Sequence, residues 1–593
     1  KKWDGVSAFE AVNHQNTSNL DFKDELLLNR YQAMHDDEQV DITLLVEVLH
    51  YIIQSSSGDG AILVFLPGWQ EISEFKLLLE STAPFNNRSK YLVLPLHSGI
   101  PSKDQRETLR VPPHGTRKIV LSTNIAETSL TIEDVAFVVD SGRAKEKSYD
   151  PHLKTSTLHQ AWISQASSKQ RRGRAGRTKA GVCFHLFSRR RFESMAEFTQ
   201  SELLRTPLEE MALHCKKLDL APGGADDEDG VPAFLAKALS PPHPKSVSNA
   251  LTLLVDLGAM LPDTNELTHL GKCLATLSLE PRVGKMVIWS YLLGCTKAAS
   301  NMAVAMSYKS PFSLPPPHLR RNADMAKVSL SNNSESDQIT VLHVLQKRDA
   351  LSKRGGGEWN RFCRDNFIGH SSIQMISDLR KNLAKEVTSL GFPAPTDASY
   401  HNRHNNDHAL WQAAIAAGVY PNVACRSRGD VNFKTMTNQK CKIHTSSVNA
   451  IKGQPLNSKS TVPKGEMEFV CFGEMVKGSF FFTLNNTTHL ASPLPLLLLC
   501  GVSLSVMPMS EDASKAVLNV DDFIVFQTDA ELASHLVIFR KRLESAFWRA
   551  VANPSALQDG FSNVEDGLTD VEQDAIEVLG AVLQSAHRST NVR

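Results

Sequence analysis

The sequence predicts a multidomain protein that changes along its length from α/β structure to mainly helical structure and then to β structure. The chain has 593 residues, which is beyond the size at which one hydrophobic core keeps growing, so about three to five domains are expected. Short apolar segments of strand length occupy the first third of the chain, and segments with helical periodicity follow. Segments rich in Val, Phe and Thr, separated by polar turns, return after about Trp411.

Composition narrows the class of protein. Hydrophobic residues make up 41% and charged residues 22%, as in soluble globular proteins. Lys+Arg and Asp+Glu number 64 each, so any nucleic-acid surface must come from a local concentration of basic residues. The nine cysteines are scattered without a C-x-x-C pair, which predicts no disulfide framework, no zinc site and no other metal site. A reducing compartment, the nucleus, the cytoplasm or both, is therefore expected.

The first elements of the chain predict a linker followed by a doubly wound α/β domain. Residues 1–45 are polar and weakly periodic, as in a linker or lobe connection, and the absence of an initiator Met predicts that sequence precedes Lys1. Crossover helices are predicted at Trp69–Leu79 and Ser167–Arg174, and the domain is expected to end near residue 190. Five apolar segments read as parallel strands buried on both faces: Ala61–Leu66, Tyr91–Leu96, Lys118–Ser122, Val135–Asp140 and Val182–Phe187.

The rest of the chain is predicted as helices and then a small β-barrel. Helical spacing is clear between Leu251 and Leu293, after an exposed acidic loop at Gly223–Gly230. The longest apolar run, Ser492–Met509, contains three prolines and is predicted as buried strand and turn rather than as a membrane span. The last 40 or so residues are acidic and are predicted to be a loosely held helix or tail.

The segment QRRGRAGR, Gln170–Arg177, carries the strongest chemical signal. Its small residues allow close backbone packing, while Arg174 and Arg177 project in one direction. Two fixed guanidinium groups are suited to binding a polyphosphate. A basic surface helix is the alternative interpretation.

A second polar segment, STNIAETSLTI, spans Ser122–Ile132 at the end of a predicted strand. Ligands of α/β sheets bind at the carboxyl ends of strands, where these hydroxyl and amide groups would lie. Simple helix capping is the alternative.

Together, these two segments resemble the fifth and sixth motifs of the DEAH-box/RNA helicase A (maleless-like) family of superfamily 2 ATP-dependent RNA helicases. The segment Ile62–Ile72 resembles the fourth motif, and Leu94–Gln105 resembles motif IVa. Further along, the resemblance covers Leu204–Leu213, Leu257–Met286, Met306–Phe312, Ala417–Ala424, Ile443–Asn449 and Val520–Phe526.

The resemblance implies a fold for each region of the chain. The expected regions are a lobe connection at 1–45, a RecA-like P-loop-type α/β lobe at 46–190, a winged helix at 191–275, a helical ratchet bundle at 276–400, an OB-fold at 401–553 and a C-terminal tail at 554–593. A β-hairpin at 143–159 is expected to guide or separate nucleic-acid strands, with a solvated basic hairpin as the alternative.

The resemblance also implies a nucleotide site. In this family, ATP with Mg²⁺ binds between two RecA-like lobes, and the sixth motif completes the site. Arg174 and Arg177 would stabilise charge on the γ-phosphate, and Gln170 would position the γ-phosphate or the attacking water. Ser129 would sense the nucleotide state.

RNA contacts are implied for several further residues. Hydroxyl and amide groups at the strand ends would bind the sugar-phosphate backbone, a basic turn would hook the strand, and a polar loop of the OB-fold would add contacts. The strand-end residues are Ser98, Thr123, Asn124 and Thr128. The basic turn contains Arg117 and Lys118, and the polar loop of the OB-fold contains His444, Ser446 and Ser447.

The implied function is 3′-to-5′ translocation on single-stranded RNA, with remodelling of RNA duplexes and ribonucleoproteins. Whether DNA or RNA–DNA hybrids are also substrates stays open. No G-x-x-x-x-G-K-[ST] and no D-E-x-H sequence occurs in the chain, so the Mg²⁺ ligands are expected on a first lobe outside it and the chain alone is expected not to hydrolyse ATP. A non-catalytic RNA-binding scaffold is the alternative function.

Overall fold

The computed structural model divides the protein into two compact units. The first comprises Lys1–Ser98, Gln105–Lys145 and Gln160–Thr199, and the second Gly99–Asp104, Glu146–His159 and Gln200–Arg593. Within these spans, the structure describes residues 26–27, 30–31, 39–55, 60–100, 102–128, 130–177, 180–224, 226–352, 356–395, 400–451, 453–478, 481–509, 512, 514–557 and 568–591. Most of the predicted lobe connection lies outside the described residues.

A five-stranded parallel sheet forms the centre of the first unit. Its strand order is β2-β3-β1-β4-β7, and all neighbouring strands are parallel. The chain adds β2 and β3 on one side of β1 and then adds β4 and β7 on the other side, which is typical of a doubly wound sheet. The strands in chain order, with the β5–β6 hairpin, are β1 (Ala61–Phe65), β2 (Tyr91–Leu96), β3 (Arg117–Ser122), β4 (Val135–Asp140), β5 (Arg143–Asp150), β6 (Thr155–Trp162) and β7 (Val182–His185). All five predicted sheet strands and the hairpin are confirmed.

Both faces of this sheet are covered. Along β1, Ile62 and Val64 enter one apolar layer, and Leu63 and Phe65 enter the other, as the alternation of side chains in a strand requires. The helices of this unit are α1 (Ile42–Ser55), α2 (Trp69–Ser81), α3 (Ser102–Leu109), α4 (Ile125–Thr128), α5 (Gln165–Arg172) and α6 (Arg189–Ser194). Because Leu45 of α1 is fully buried, the core of this lobe begins before the predicted boundary at residue 46.

The second unit is helical as far as the barrel. A short antiparallel bridge, Met260 to Leu267, lies between two of its helices. The helices are α7 (Glu209–Lys217), α8 (Val231–Ala236), α9 (Pro244–Asp256), α10 (His269–Leu274), α11 (Pro281–Leu293), α12 (Thr296–Ser307), α13 (Arg320–Ser331), α14 (Asp337–Ser352), α15 (Gly356–Asp365), α16 (His370–Ser389) and α17 (His408–Val419). The predicted barrel start near Trp411 falls inside α17, which is buried along its whole length.

Five strands close into a small barrel. They are β8 (Val423–Ser427), β9 (Phe433–Thr435), β10 (Lys440–Ile443), β11 (Met467–Lys477) and β12 (Phe482–His489). They pair in the closed order β8-β9-β10-β12-β11-β8, in which only the β10–β12 pairing is parallel. A separate antiparallel sheet follows, made of β13 (Leu504–Pro508), β14 (Lys515–Val520) and β15 (Ile524–Asp529).

Two predictions for the end of the chain are only partly right. The apolar run at 492–509 does not form strand throughout, because its leucines make helix α18 (Leu494–Leu499) before β13 begins. The predicted tail contains α20 (Asp570–Asn591), which follows α19 (Ala530–Ala552) and buries Ile576, Leu579 and Leu583 in the main core of the unit. No helix in the described ranges is both long and apolar enough to cross a bilayer.

Candidate nucleotide and nucleic-acid interface

Polar residues of the first unit collect at the carboxyl edge of its parallel sheet. Ser98 follows β2 and is exposed, and Asn124 and Thr128 follow β3 and are exposed. Thr123 lies beside them but is only 8% exposed. Gln105 fixes the loop after β2 by donating from Nε2 to the His97 carbonyl oxygen at 3.1 Å. These four predicted residues therefore share the edge at which ligands of α/β sheets bind.

Three arginines, spaced three residues apart, line up beside the loop that follows β3. The α5 helix ends at Arg172 and continues as a 3₁₀ turn over Gly173–Gly176. Since a 3₁₀ turn has about three residues per turn, Arg171, Arg174 and Arg177 lie along one side of the segment. The exposure of these three side chains, here called the arginine series, increases along the chain: Arg171 is fully buried, Arg174 is 7% exposed and Arg177 is exposed.

Each arginine of this series contacts the loop after β3. Arg171 Nε bonds the Glu127 carboxylate at 3.1 Å. Arg174 donates to the Leu130 carbonyl oxygen at 2.9 Å and to the Glu127 carbonyl oxygen, and Arg177 donates to Thr131 Oγ1 at 2.5 Å. Burial, reinforced by the Arg177 charge, lowers the pKa of Arg174. The segment thus holds the loop with three cations.

Sequence reasoning missed Arg171. Its Nη1 also bonds the Asp140 carboxylate at 2.9 Å, and its guanidinium lies 4.8 Å from the centre of the Phe65 ring. Burial alone would raise the pKa of Asp140, but Arg171, His185 and the Gly142 backbone together hold it below its ordinary value. The regular three-residue spacing of arginines was the available signal.

The predicted reason for the small residues in this segment is partly wrong. A side-chain carbon added at Gly173 or Gly176 would meet open space. The close approach is instead made by Gly181, where such a carbon would lie 2.0 Å from the Ala175 carbonyl oxygen. Gln170 is exposed beside the arginine series, and Ser129 lies outside the described residues.

Arg117 and Lys118 do not join this site. They begin β3, so about five residues of strand, roughly 16 Å, separate them from the carboxyl edge. The Lys118 ammonium is fully buried and bonds the Asp134 carboxylate at 2.7 Å and two carbonyl oxygens at 2.8 Å. Arg117 donates to the Gly60 carbonyl oxygen at 3.3 Å. The RNA contact predicted for Lys118 is therefore wrong, because its buried charge braces the opposite edge of the sheet. Arg117 is only partly buried, and its predicted RNA contact stays a prediction.

In the second unit, the predicted polar loop follows β10. His444 Nδ1 lies 2.7 Å from Ser446 Oγ, and burial lowers the pKa of His444. Ser447 is only 2% exposed, caps the 3₁₀ turn Val448–Ala450 and bonds Thr487 Oγ1 at 2.8 Å. Ser447 is thus structural, whereas Ser446 is exposed to solvent.

Asp337 at the start of α14 holds this loop in place. Its two carboxylate oxygens accept hydrogen bonds from the backbone amides of Val448 at 2.8 Å and Thr487 at 3.0 Å. Lys327 pairs with the same carboxylate at 3.2 Å. The neighbouring Gln338 bonds Asn486 and Thr488 of β12, so the start of α14 and the barrel loop are tied together.

The tip of the β5–β6 hairpin also belongs to the second unit. Ser156 and Thr157 of β6 pair with Val476 and Lys477 of β11, and the Lys147 ammonium lies 2.5 Å from the Glu474 carboxylate. Its basic charge is therefore partly neutralised. A cavity of about 1480 Å³ in the same unit includes Lys147 and Glu474 in its wall, together with Glu209, Glu210 and Glu280. Burial raises the pKa of Glu209 and Glu210, and the cations Arg282 and Lys154 line the same cavity.

The carboxylates beside the arginine series are paired with protein groups. No group of three or more His, Cys, Asp or Glu residues able to hold a metal ion occurs among the described residues. The carboxylates nearest the arginine series, Glu127 and Asp140, are both engaged by Arg171.

Comparison with known families agrees with this architecture. The helicase conserved C-terminal domain matches residues 43–179, the ratchet-like helicase associated domain (HA2) matches 280–369, and the oligonucleotide/oligosaccharide-binding (OB)-fold matches 411–502. The chain belongs to the DEAH/DExH-box RNA helicase family. The resemblance read from the motifs is confirmed, as are the RecA-like lobe, the helical ratchet region and the OB-fold.

Relatives in this family cover most of the chain. DExH-box ATP-dependent RNA helicase DExH1 of Arabidopsis thaliana is 42% identical over 70% of this chain and 40% of its own length. ATP-dependent RNA helicase dhx29 of Xenopus laevis is 35% identical over 87% of this chain and 37% of its own. ATP-dependent DNA/RNA helicase DHX36 of Mus musculus is 33% identical over 89% of this chain and 51% of its own. The chain thus spans about half or less of the length of these DExH-box helicases.

Proposed function

We propose that this chain supplies the second motor lobe and the RNA-holding domains of an ATP-dependent RNA helicase that moves 3′-to-5′ on single-stranded RNA. Residues 191–275 would form a winged helix, which the α7–α10 helices and the Met260–Leu267 bridge support. RNA is the proposed partner, single-stranded and duplex, in the nucleus or cytoplasm. DNA is a further candidate because one relative is named a DNA/RNA helicase.

The arginine series is the observation that carries this proposal. Arg174 and Arg177 contact the loop that begins at the proposed RNA-contacting residues Thr123 and Asn124. Charge-assisted hydrogen bonds of this kind contribute about 1.5–3 kcal/mol each. A γ-phosphate presented to the same guanidinium groups would compete with the loop for them. Nucleotide binding and the position of the RNA loop would then be coupled through shared donors.

The RNA side of the proposal needs no base-specific group. Ser98, Asn124 and Thr128 offer hydroxyl and amide groups at one edge, with Thr123 almost fully buried beside them. Such groups recognise phosphate and sugar without reading sequence, as a translocating motor requires. His444 and Ser446 are proposed to add contacts from the OB-fold.

The proposal assigns one role to each residue on the nucleotide side. Arg174 and Arg177 would stabilise the charge that develops on the transferred phosphoryl group. Gln170 would orient the attacking water or the γ-phosphate, and Ser129 would report the nucleotide state to the neighbouring loop. ATP is the substrate, and Mg²⁺ would be held by residues outside this chain.

The deciding experiment measures RNA-stimulated ATP hydrolysis by the full-length gene product. Arg174→Ala and Arg177→Ala are expected to lower kcat by two or more orders of magnitude, about 3 kcal/mol of transition-state stabilisation. Arg172→Ala is the matched control, because Arg172 is an exposed arginine in the same Gln170–Arg177 segment, and it should stay within about twofold of wild type.

The same measurement separates the motor from the scaffold. RNA binding without any ATP hydrolysis in the wild-type protein would favour the non-catalytic scaffold. Equal kcat values in the Arg174→Ala, Arg177→Ala and Arg172→Ala proteins would show that Arg174 and Arg177 do not stabilise charge on the γ-phosphate.

A further inference from the structure

The second unit contains a smaller cavity, of about 380 Å³, that the proposed function does not use. It lies between helices α12 and α14, and the loop before α17 contributes a third wall. Lys297 and Asn301 line it from α12, and Leu342, Gln346 and Asp349 line it from α14. Because these residues are spaced three or four apart along each helix, each set shares one helix face.

Two asparagine side chains in the wall of this cavity are fixed as hydrogen-bond donors. The Asn301 side-chain oxygen accepts a hydrogen bond from Arg380 Nη1 at 3.4 Å. The side-chain oxygen of Asn405, which lines the cavity from the loop, accepts from the Ala298 backbone amide at 2.8 Å. Since the oxygen of each amide is engaged by the protein, its nitrogen is the group left for a ligand. This wall therefore matches a ligand with acceptor oxygens.

Asn301 is the residue of this wall that packing does not explain. It lies in the second turn of α12 and is only 3% exposed, and its Nδ2 has no acceptor within the described part of the chain. A buried polar group without a partner is destabilising, and asparagine is a poor helix former. Asn405, in contrast, is explained by capping of the start of α12. The Asn301 amide thus points to a ligand that accepts its hydrogen bond.

The charges around the cavity favour an anion. Asp349 is paired with the Arg380 guanidinium through contacts of 2.9 and 3.3 Å, so its negative charge is compensated. Lys297 adds a positive charge to the same wall. The start of α12, where Lys297 lies, also carries the positive end of the helix dipole. An acceptor that bears negative charge, such as a phosphate group, fits these surroundings.

We propose that this cavity binds a single nucleotide, with its phosphate beside Lys297 and the two amide donors and its base against Leu342. The volume of about 380 Å³ equals that of about a dozen water molecules at about 30 Å³ each, so inorganic phosphate alone would leave most of the cavity empty. Gln346 shares a helix face with Leu342 and offers both a donor and an acceptor to the edge of a base. Because the cavity contains none of the arginine series, it is separate from the site proposed for ATP.

Isothermal titration calorimetry tests this site, with AMP, adenosine and inorganic phosphate titrated into the 593-residue chain. AMP should bind saturably, and adenosine and inorganic phosphate should each bind more weakly, because each lacks part of the recognised group. Asn301→Leu keeps a similar volume but removes the donor, and it should weaken AMP binding by about 10- to 150-fold. Asn360→Leu, at an exposed position of α15, is the matched control and should leave AMP binding unchanged.

A second variant fills the cavity without changing the buried amide. Gln346→Trp should abolish AMP binding, whereas Lys347→Trp, at the next and exposed position of α14, should bind AMP as wild type does. Hydrogen exchange locates the ligand and checks the fold. AMP should slow exchange in peptides from α12 and α14 of the wild-type protein, and exchange without AMP should be the same in wild type and Asn301→Leu.

The outcomes separate this inference from the proposed function. If AMP does not bind, if it binds Asn301→Leu as it binds wild type, or if adenosine binds as tightly as AMP, the cavity is not a nucleotide site. RNA-stimulated ATP hydrolysis would still support the motor. Loss of AMP binding in Arg174→Ala, with wild-type binding in Asn301→Leu, would place AMP at the arginine series and overturn this inference alone.

Competition identifies the source of the nucleotide. A single-stranded RNA with a 5′-phosphate that displaces AMP from the wild-type protein would support the site and identify the end of an RNA strand as its ligand. Saturable AMP binding that is sensitive to Asn301→Leu but not displaced by this RNA would support the site and identify a free nucleotide.

Discussion

Replacing Arg171 by Gln should open the first unit locally and make its stability depend on pH. Arg171 and Asp140 are both fully buried, and Glu127 shares the same guanidinium. Removing one partner of a buried ion pair typically costs about 3–5 kcal/mol, because the remaining charge is left uncompensated. This loss equals a fall of about 150- to 5000-fold in the protection of local amides from exchange.

Hydrogen exchange followed by mass spectrometry is the suitable assay, since a chain of two units does not unfold in one step. Peptides from β3 and β4 report the sheet beside Arg171. Arg172→Gln provides the control, because that side chain is exposed one residue away and its change should stay within about 0.5 kcal/mol.

The pH dependence follows from the direction of the Asp140 shift. In the wild-type protein, the pKa of Asp140 is lowered, so its stabilising contribution is fully present above the unfolded pKa, near 3.9, and is lost only as the pH falls through the folded value. In Arg171→Gln, burial still raises the pKa of Asp140, but the guanidinium charge that lowered it is gone. The pKa of Asp140 in the folded state should therefore rise above its value in the unfolded state. Stability of the variant should then fall as pH rises, by up to about 1.4 kcal/mol per pH unit. A loss below about 1 kcal/mol, or a difference from wild type that is equal at pH 5 and pH 7, would refute the reasoning.

Three further predictions address residues whose contacts only the structure shows. Lys118→Met should lower local stability, measured by hydrogen exchange, by about 3 kcal/mol but leave RNA affinity within about twofold of wild type. A loss of RNA affinity without a loss of stability would instead support a contact between Lys118 and an RNA phosphate. Asp337→Asn should weaken protection of the Val448 and Thr487 amides by about 1.5–3 kcal/mol, and unchanged protection would remove Asp337 as the residue that holds the barrel loop. Leu583→Ala should destabilise α20 by about 2–5 kcal/mol, measured by limited proteolysis, whereas a loosely held tail would show no change.

The parallel sheet was predictable because burial on both faces leaves a direct trace in sequence. Strands such as β1 and β4 read as continuous apolar runs, and their spacing leaves room only for crossover connections. Local patterns did not distinguish helix from strand in the run of leucines that forms α18, since a short buried apolar run fits either element. The packing of the C-terminal helix into the core was missed because its apolar stripe lies among acidic and polar residues, and its packing partners are distant in sequence.

Charged residues show where sequence reasoning reaches its limit. Arg171, Arg174 and Arg177 are chemically identical and evenly spaced, yet one is fully buried, one nearly buried and one exposed. Lys118 reads as a surface cation in sequence but is fully buried against Asp134. What a cation does depends on its depth and on acceptors supplied by other elements, and neither is written in its local pattern. Motif spacing can therefore place these cations in one segment, but only the fold separates those that brace the lobe from those left to meet a ligand.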